Sequence, residues 1–309
     1  MITKVARMHH ERGIRQVDIA ETLHLSQARV SRLLKRASEL GIVRTVVLVS
    51  EGIHTDLEEA LEDRYGLAEA VVVDVEGDGH DILAGIGSGG AAYLESSLTG
   101  GERIGISTWS QTLLSVVDRM RPLRLAGADN VVQLIGGVGV TSAQAQANRL
   151  LGDLAHILGA TATFVSAPGL VGNKTVRDSL LAEPAMEAVA AEWASLTMAL
   201  VGIGSLPPSE FLRRSGNAVE PADQPALLAA GAVGDVCHRF FDSAGDAVPS
   251  DLDNRVLGIA ADTLRAVPRR VGFAGGPEKH DAIRAAVVGG WVNVLVTDIG
   301  TAQALLASG

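Results

Sequence analysis

The sequence predicts a two-part α/β protein: a small basic helical head joined to an acidic body built on a mostly parallel sheet. Three observations carry that prediction. Charge is unevenly distributed: residues 1–44 hold nine Lys/Arg against four Asp/Glu, net +5, while the rest holds 17 against 32, net −15. The head has the apolar spacing of short helices, and the body alternates continuous apolar runs with helical patterns, as a parallel sheet covered on both faces requires. A chain of 309 residues with 47% hydrophobic and 20% charged residues has ample material for such a core.

The head begins with a helical segment, Ile2 to Gly13, whose apolar side includes Val5 and Met8 and which stops at Gly13. In "RQVDIAETLHLSQARVSRLLKRASELGIVR", Val17, Ile19, Ala20 and Leu23 predict the apolar side of a second helix, and Leu25 packs in the turn. Ser26 is a suitable N-cap for a third helix. There Val30, Leu33, Leu34 and Ala37 recur as one buried stripe. At 100° per residue the opposite face presents Ala28, Ser31, Arg32 and Lys35, flanked by Gln27, Arg29 and Arg36. Residues 16–35 thus resemble a helix-turn-helix unit. Gln16, Ser26, Gln27, Ala28, Arg29, Ser31, Arg32, Lys35 and Arg36 are its candidate DNA contacts, small residues facing bases and cations facing phosphates. A plain helical hairpin with a solvated basic face is the competing interpretation. His24 holds the turn position where positive φ is frequent, which His tolerates better than β-branched residues do.

"IVRTVVLVS", Ile42 to Ser50, predicts a strand, either a wing of the head or an entry to the body. "HTDLEEALEDRYG" predicts a helix ending at Gly66, so the boundary falls between residues 50 and 55. The expected division is residues 1–52 for a DNA-binding head and 53–309 for a regulatory body.

Six strands are predicted in the body: 69–75, 103–107, 131–137, 197–205, 269–276 and 293–300. "DILAGIGSGGAAYLESSL", "AQAQANRLLGDLAHILG" and "PEKHDAIRAAVVGG" are helical patterns between them. Ligands of such sheets sit outside the carboxyl ends of the strands, where this chain places Gly, Ser, Thr and Asp. After the strand at 103–107, "STWSQT" brings Ser107, Thr108, Trp109, Ser110, Gln111 and Thr112 to a helix start. Their hydroxyls, amide and free N–H groups can hold an anion, or Ser107 or Ser110 can simply cap the helix.

"IAETLHLSQARVSRLLKRASELGIV", "VVQLIGG", "ALVGIGSL", "GAVGDVCHRFFDSAG" and "GGPEKHDAIRAAVVGGWVNVLVTDIGTAQALL", in this order, resemble the SorC family of bacterial transcriptional regulators, historically grouped with DeoR-type regulators. The resemblance spans nearly the whole chain. It implies a sugar-binding domain similar to the glucosamine-phosphate deaminase and ribose-phosphate isomerase superfamily, a sugar, polyol or sugar-phosphate effector, and a homo-oligomer, commonly a tetramer. It also directs the 107–112 loop toward phosphate. The chain departs from the family in two places: many relatives have Trp-Gly directly after the loop serine, and many have Asp-Glu where Asp298-Ile299 stands.

Further effector candidates follow. Lys279 could neutralise an anion or stand solvated near a helix start, where a cation is unfavourable, and Asp298 could accept from sugar hydroxyls or cap the last helix. Asp235 could bind hydroxyls or form a structural turn, and Arg239 could pair with it or with phosphate. Gln133, Gly136, Gly137, Gly204 and Ser205 end strands where backbone can approach a ligand closely.

The sequence offers little support for other chemistry. Eight histidines form neither HExxH nor a zinc-like Cys/His cluster, so no metal or other cofactor is expected. There is no GxSxG elbow, and "GIGSGGAAYL" lacks a Walker lysine. The lone cysteine, Cys237, is expected to be a small buried residue. Lys4, Arg7, His9, His10, Glu11 and Arg12 stand where a secretion signal needs its apolar core, and no apolar run suits a membrane span; a cytoplasmic location is expected. A regulator is therefore expected, not an enzyme. The alternative is a sugar-phosphate isomerase or deaminase with a helix-turn-helix appendage, which would share the same pocket.

Overall fold

A computed structural model describes residues 1–40, 42–43, 54–123 and 127–308. The chain divides into two compact units, Met1–Glu51 and Gly52–Gly309.

In the first unit, α1 (Ile2–His10), α2 (Gln16–Thr22) and α3 (Gln27–Glu39) enclose a small core. Val5, Met8, Ile19, Ala20, Val30 and Leu34 are buried there, with Ile14, Leu23, Leu25 and Leu33 packed around them. Val17 departs from expectation and is 46% exposed, because two residues along a helix from Ile19 turn it about 200° away from the core. α1 stops at His10, and Gly13 takes a left-handed φ of 64° soon after. His24 adopts a φ of 53° in the tight turn, and Ser26 Oγ accepts the Arg29 N–H at 3.3 Å. Of the strand predicted at 42–50, residues 44–50 lie outside the described residues, and Ile42 and Val43 are in a bend.

The second unit runs through α4 (Thr55–Tyr65), β1 (Glu69–Val73), α5 (Gly79–Ser97), β2 (Glu102–Ile106), α6 (Gln111–Val117), β3 (Ala128–Gln133), α7 (Thr141–Leu158) and β4 (Thr161–Thr163). It continues through α8 (Lys174–Leu181), α9 (Pro184–Ala194), β5 (Met198–Gly202), β6 (Gly204–Ser205), α10 (Glu210–Ser215), α11 (Gln224–Ala229), β7 (Ala232–Val236) and β8 (Arg239–Asp242). The last elements are α12 (Ala261–Ala266), β9 (Arg269–Phe273), α13 (His280–Val288), β10 (Val294–Asp298) and α14 (Ile299–Ala307).

Seven strands form one parallel sheet in the order β1-β10-β9-β5-β2-β3-β4. Alternation along each strand feeds two cores. Met198, Leu200, Val294 and Val296 pack with residues of α5, α6 and α7, including Ile86, Leu113 and Leu154. Ala199, Val201 and Leu295 face the other way, toward Leu61, Trp193, Ile283 and Leu305 of α4, α9, α13 and α14. Both faces are therefore covered, which is why these strands carry uninterrupted apolar runs.

The glycines of α5 serve this packing. A Cβ at Gly85, Gly89 or Gly90 would fall 2.4–2.8 Å from Val75, Val73 or Phe273 and Val116 side-chain atoms, so "GIGSGG" brings the helix close to the sheet. The predicted strand 197–205 divides in two. β5 stays in the large sheet, while β6 joins β7 and β8 in a three-stranded antiparallel sheet. Among the described residues no helix is long and apolar enough to cross a membrane.

Candidate effector site and DNA-facing helix

From β2 the chain proceeds to β3 and β4 on one side, and from β5 to β9 and β10 on the other. The order reverses between β2 and β5, and a crevice opens beyond the carboxyl ends at such a switch point. A cavity of about 430 Å³ lies there. The loop after β2 gives it Ser107, Trp109, Ser110, Gln111 and Thr112; the segment after β5 gives Gly204, Ser205 and Ser209; the loop after β9 gives Gly275, Gly276, Glu278 and Lys279. Register explains how Asp235 arrives: β6 pairs Gly204 with Asp235, which hangs the β7–β8 hairpin on the end of β5. Ile82, Ile86, Ile135, Leu212, Val219 and Phe240 supply apolar wall.

Ser110 both caps and lines: its Oγ accepts the Leu113 N–H at 3.2 Å and faces Gly202, where a Cβ would come within 2.6 Å of it. Trp109 is held by its indole N–H, which donates to Gly136 O at 2.8 Å, and by Phe211, 5.9 Å away between ring centroids. The Lys279 ammonium has no hydrogen bond or ion pair among the described residues. Burial pushes its pKa down, against the pull of the Glu278 and Asp235 carboxylates. Asp235 is pushed up to about 6, chiefly by burial, while the His238 N–H it accepts at 2.9 Å and the charge of Lys279 oppose the shift. Burial also pushes the Cys237 thiol up to about 12, so it is no nucleophile at neutral pH.

Nine of the fifteen expected effector residues line this cavity: Ser107, Trp109, Ser110, Gln111, Thr112, Gly204, Ser205, Asp235 and Lys279. The other six have structural partners. Gln133 donates to Thr108 Oγ1 at 2.7 Å and accepts the Val165 N–H at 2.9 Å. A Cβ at Gly136 would meet Pro168 O at 2.2 Å, and one at Gly137 would meet the Gln133 amide. Arg239 turns to the opposite side of its strand, where it donates to Ile259 O and pairs with Asp253 at 3.2 Å. Asp298 accepts from the Thr301 N–H and hydroxyl and from the Gly276 N–H, so it caps α14 and fixes the loop that carries Lys279. His238, Glu278, Ser209 and Gly275 also line the cavity, and no spacing in the sequence marks them. No turn signal marks the hairpin that brings His238 in. Among the described residues no cluster of His, Cys, Asp and Glu could hold a metal ion.

On the head, Gln27, Ala28, Arg29, Ser31, Arg32, Lys35 and Arg36 are all exposed on α3. Ser26 is exposed at its start, and Gln16 is half-buried at the first position of α2. Arg32 Nε lies 3.3 Å from Ala28 O, along the helix surface.

Residues 52–307 match the protein-family model Sugar-bind, described as "Putative sugar-binding domain". The sorbitol operon regulator of Klebsiella pneumoniae is 32% identical, with 99% of this chain and 97% of that one covered. The deoxyribonucleoside regulator of Bacillus subtilis is 31% identical over 98% and 96%. The crystal structure of the full-length Klebsiella regulator SorC superposes with a TM-score of 0.74 at 30% identity, covering 99% of this chain and 98% of that one. The family model and the near full-length identity lead to one conclusion: the chain belongs to the SorC family of sugar-binding transcriptional regulators.

Proposed function

We propose that this protein regulates a carbohydrate-metabolism operon, binding operator DNA through residues 1–52 and a sugar, polyol or sugar-phosphate effector through residues 53–309. The observation that carries this reading is the composition of the cavity. Hydroxyls of Ser107, Ser110, Thr112 and Ser205 and the Gln111 amide share it with the Asp235 carboxylate and an ammonium, Lys279, that has no ion-pair partner among the described residues. Hydroxyls and a carboxylate suit a polyol, and an uncommitted cation suits a phosphate. The exposed cationic face of α3 supplies the phosphate contacts that DNA requires. The protein acts in the cytoplasm as a homo-oligomer, a tetramer in our reading, whose second unit supplies the subunit contacts.

A thermal-shift screen of sugars, polyols and their phosphates tests the ligand class, because a compound that binds only the folded state raises Tm. Phosphorylated compounds are expected to stabilise the protein. Lys279→Met should weaken their binding by about tenfold or more, the value of a hydrogen bond to a charged group. Stabilisation by unphosphorylated compounds alone would remove the phosphate from this account.

A further inference from the structure

Strands β7 and β8 pair Val236 with Arg239, so only Cys237 and His238 connect them. Their φ angles are 53° and 59°, the pattern of a type I′ turn. That turn ordinarily takes Asn-Gly or Asp-Gly, because side chains are strained at positive φ. Here both positions carry side chains, and both side chains belong to residues of the cavity wall.

His238 bears a second cost. It is 4% exposed, and neither Nδ1 nor Nε2 has a hydrogen-bond partner among the described residues. Burial, helped by the charge of Arg239, pushes the imidazole down to about 4, so at neutral pH it is uncharged with one donor and one acceptor. Buried polar atoms are nearly always paired, and a backbone outlier persists only where something else is gained. Glycine at 238 would remove both costs at once. Among the described residues no hydrogen bond or ion pair holds the imidazole.

We propose that His238 is a recognition residue for the effector, its imidazole exchanging a hydrogen bond with a hydroxyl of a sugar or polyol seated against the Cys237–His238 turn. This rests on the reading of the cavity as an effector site. The occupant draws the ring nitrogens, now enclosed, toward the lumen. Asp235 stands beside them, accepting the His238 N–H, so a carboxylate and an imidazole address adjacent hydroxyls from one turn. Such a pair selects for a vicinal diol.

The test uses the full-length protein, His238→Gly and His238→Asn, with D-glucitol, D-glucitol 6-phosphate and D-ribose 5-phosphate as probes in calorimetric titrations. Asparagine tolerates positive φ and keeps a donor and an acceptor. For a probe that binds the parent, His238→Gly is expected to raise the ligand-free Tm yet weaken binding about tenfold, one lost hydrogen bond. His238→Asn should recover most of that loss, and the ring ¹⁵N resonances of His238 in the parent should move on binding. Undiminished binding by His238→Gly, or unmoved resonances in the complex, would overturn the proposal while leaving the cavity reading intact. If no probe binds the parent, the cavity reading itself fails and this proposal falls with it.

Discussion

Asp235 and His238 carry opposite pH dependences over one window. The raised Asp235 pKa means that the fold favours its neutral form. Its contribution to stability is full below about 3.8, its ordinary value, and is lost as pH rises through about 6. The depressed His238 pKa works in reverse: its contribution is present above about 6.5 and is lost as pH falls through about 4. In the parent protein the two slopes largely cancel between pH 4 and 6. Asp235→Asn leaves His238 alone, so thermal denaturation should show Tm falling more steeply on acidification than in the parent. At roughly 1.4 kcal/mol per pH unit the excess amounts to several degrees across the window. Parallel curves would mean that Asp235 is not held neutral by burial. At this scale the sequence was partly legible. Asp235 and Lys279 stood out by charge next to apolar runs, whereas His238 did not, because its importance lies in burial and backbone conformation that no spacing reveals.

Elements were legible where local rules determine them. The parallel strands were marked by apolar runs ended by glycine or small polar residues, and α3 by its cap and stripe. The β7–β8 hairpin was not, since Cys-His replaces the usual turn dipeptide and Gly234 and Asp235 interrupt its strand pattern. Nor was the short edge strand β4, three residues of Thr-Ala-Thr with no apolar run of its own. Glycines showed where something approaches the backbone and not what approaches. Gly136 and Gly137 suggested room for a ligand, yet Gly136 makes room for Pro168 while its carbonyl anchors Trp109. Gly136→Ala would force a Cβ against backbone that cannot move aside. It should destabilise the protein by about 1–3 kcal/mol, lowering Tm by several degrees without substituting any cavity residue. An unchanged Tm would show that the strand β3 loop is slack enough to absorb a methyl group.

For the whole molecule, charge asymmetry and alternating pattern mark a basic head and an acidic body in the sequence, and the ordered family motifs foretold the relatives found. What no pattern could supply is coupling, because communication between DNA binding and effector binding, as proposed above, depends on differential affinity between two states of the protein. Coupling is reciprocal: a compound that changes DNA affinity by some factor must itself bind with affinity changed by that same factor when DNA is present. The most direct measurement is fluorescence anisotropy of DNA from the region upstream of the protein's own coding sequence, titrated with protein at several salt concentrations. Each titration is made with and without a compound that raises Tm. Affinity is expected to fall steeply with salt and to shift when the compound is added. Arg32→Ala with Lys35→Ala should weaken binding and reduce the salt slope by about two. DNA affinity indifferent to the compound and to both substitutions would contradict the claim that this protein is an effector-controlled DNA-binding regulator.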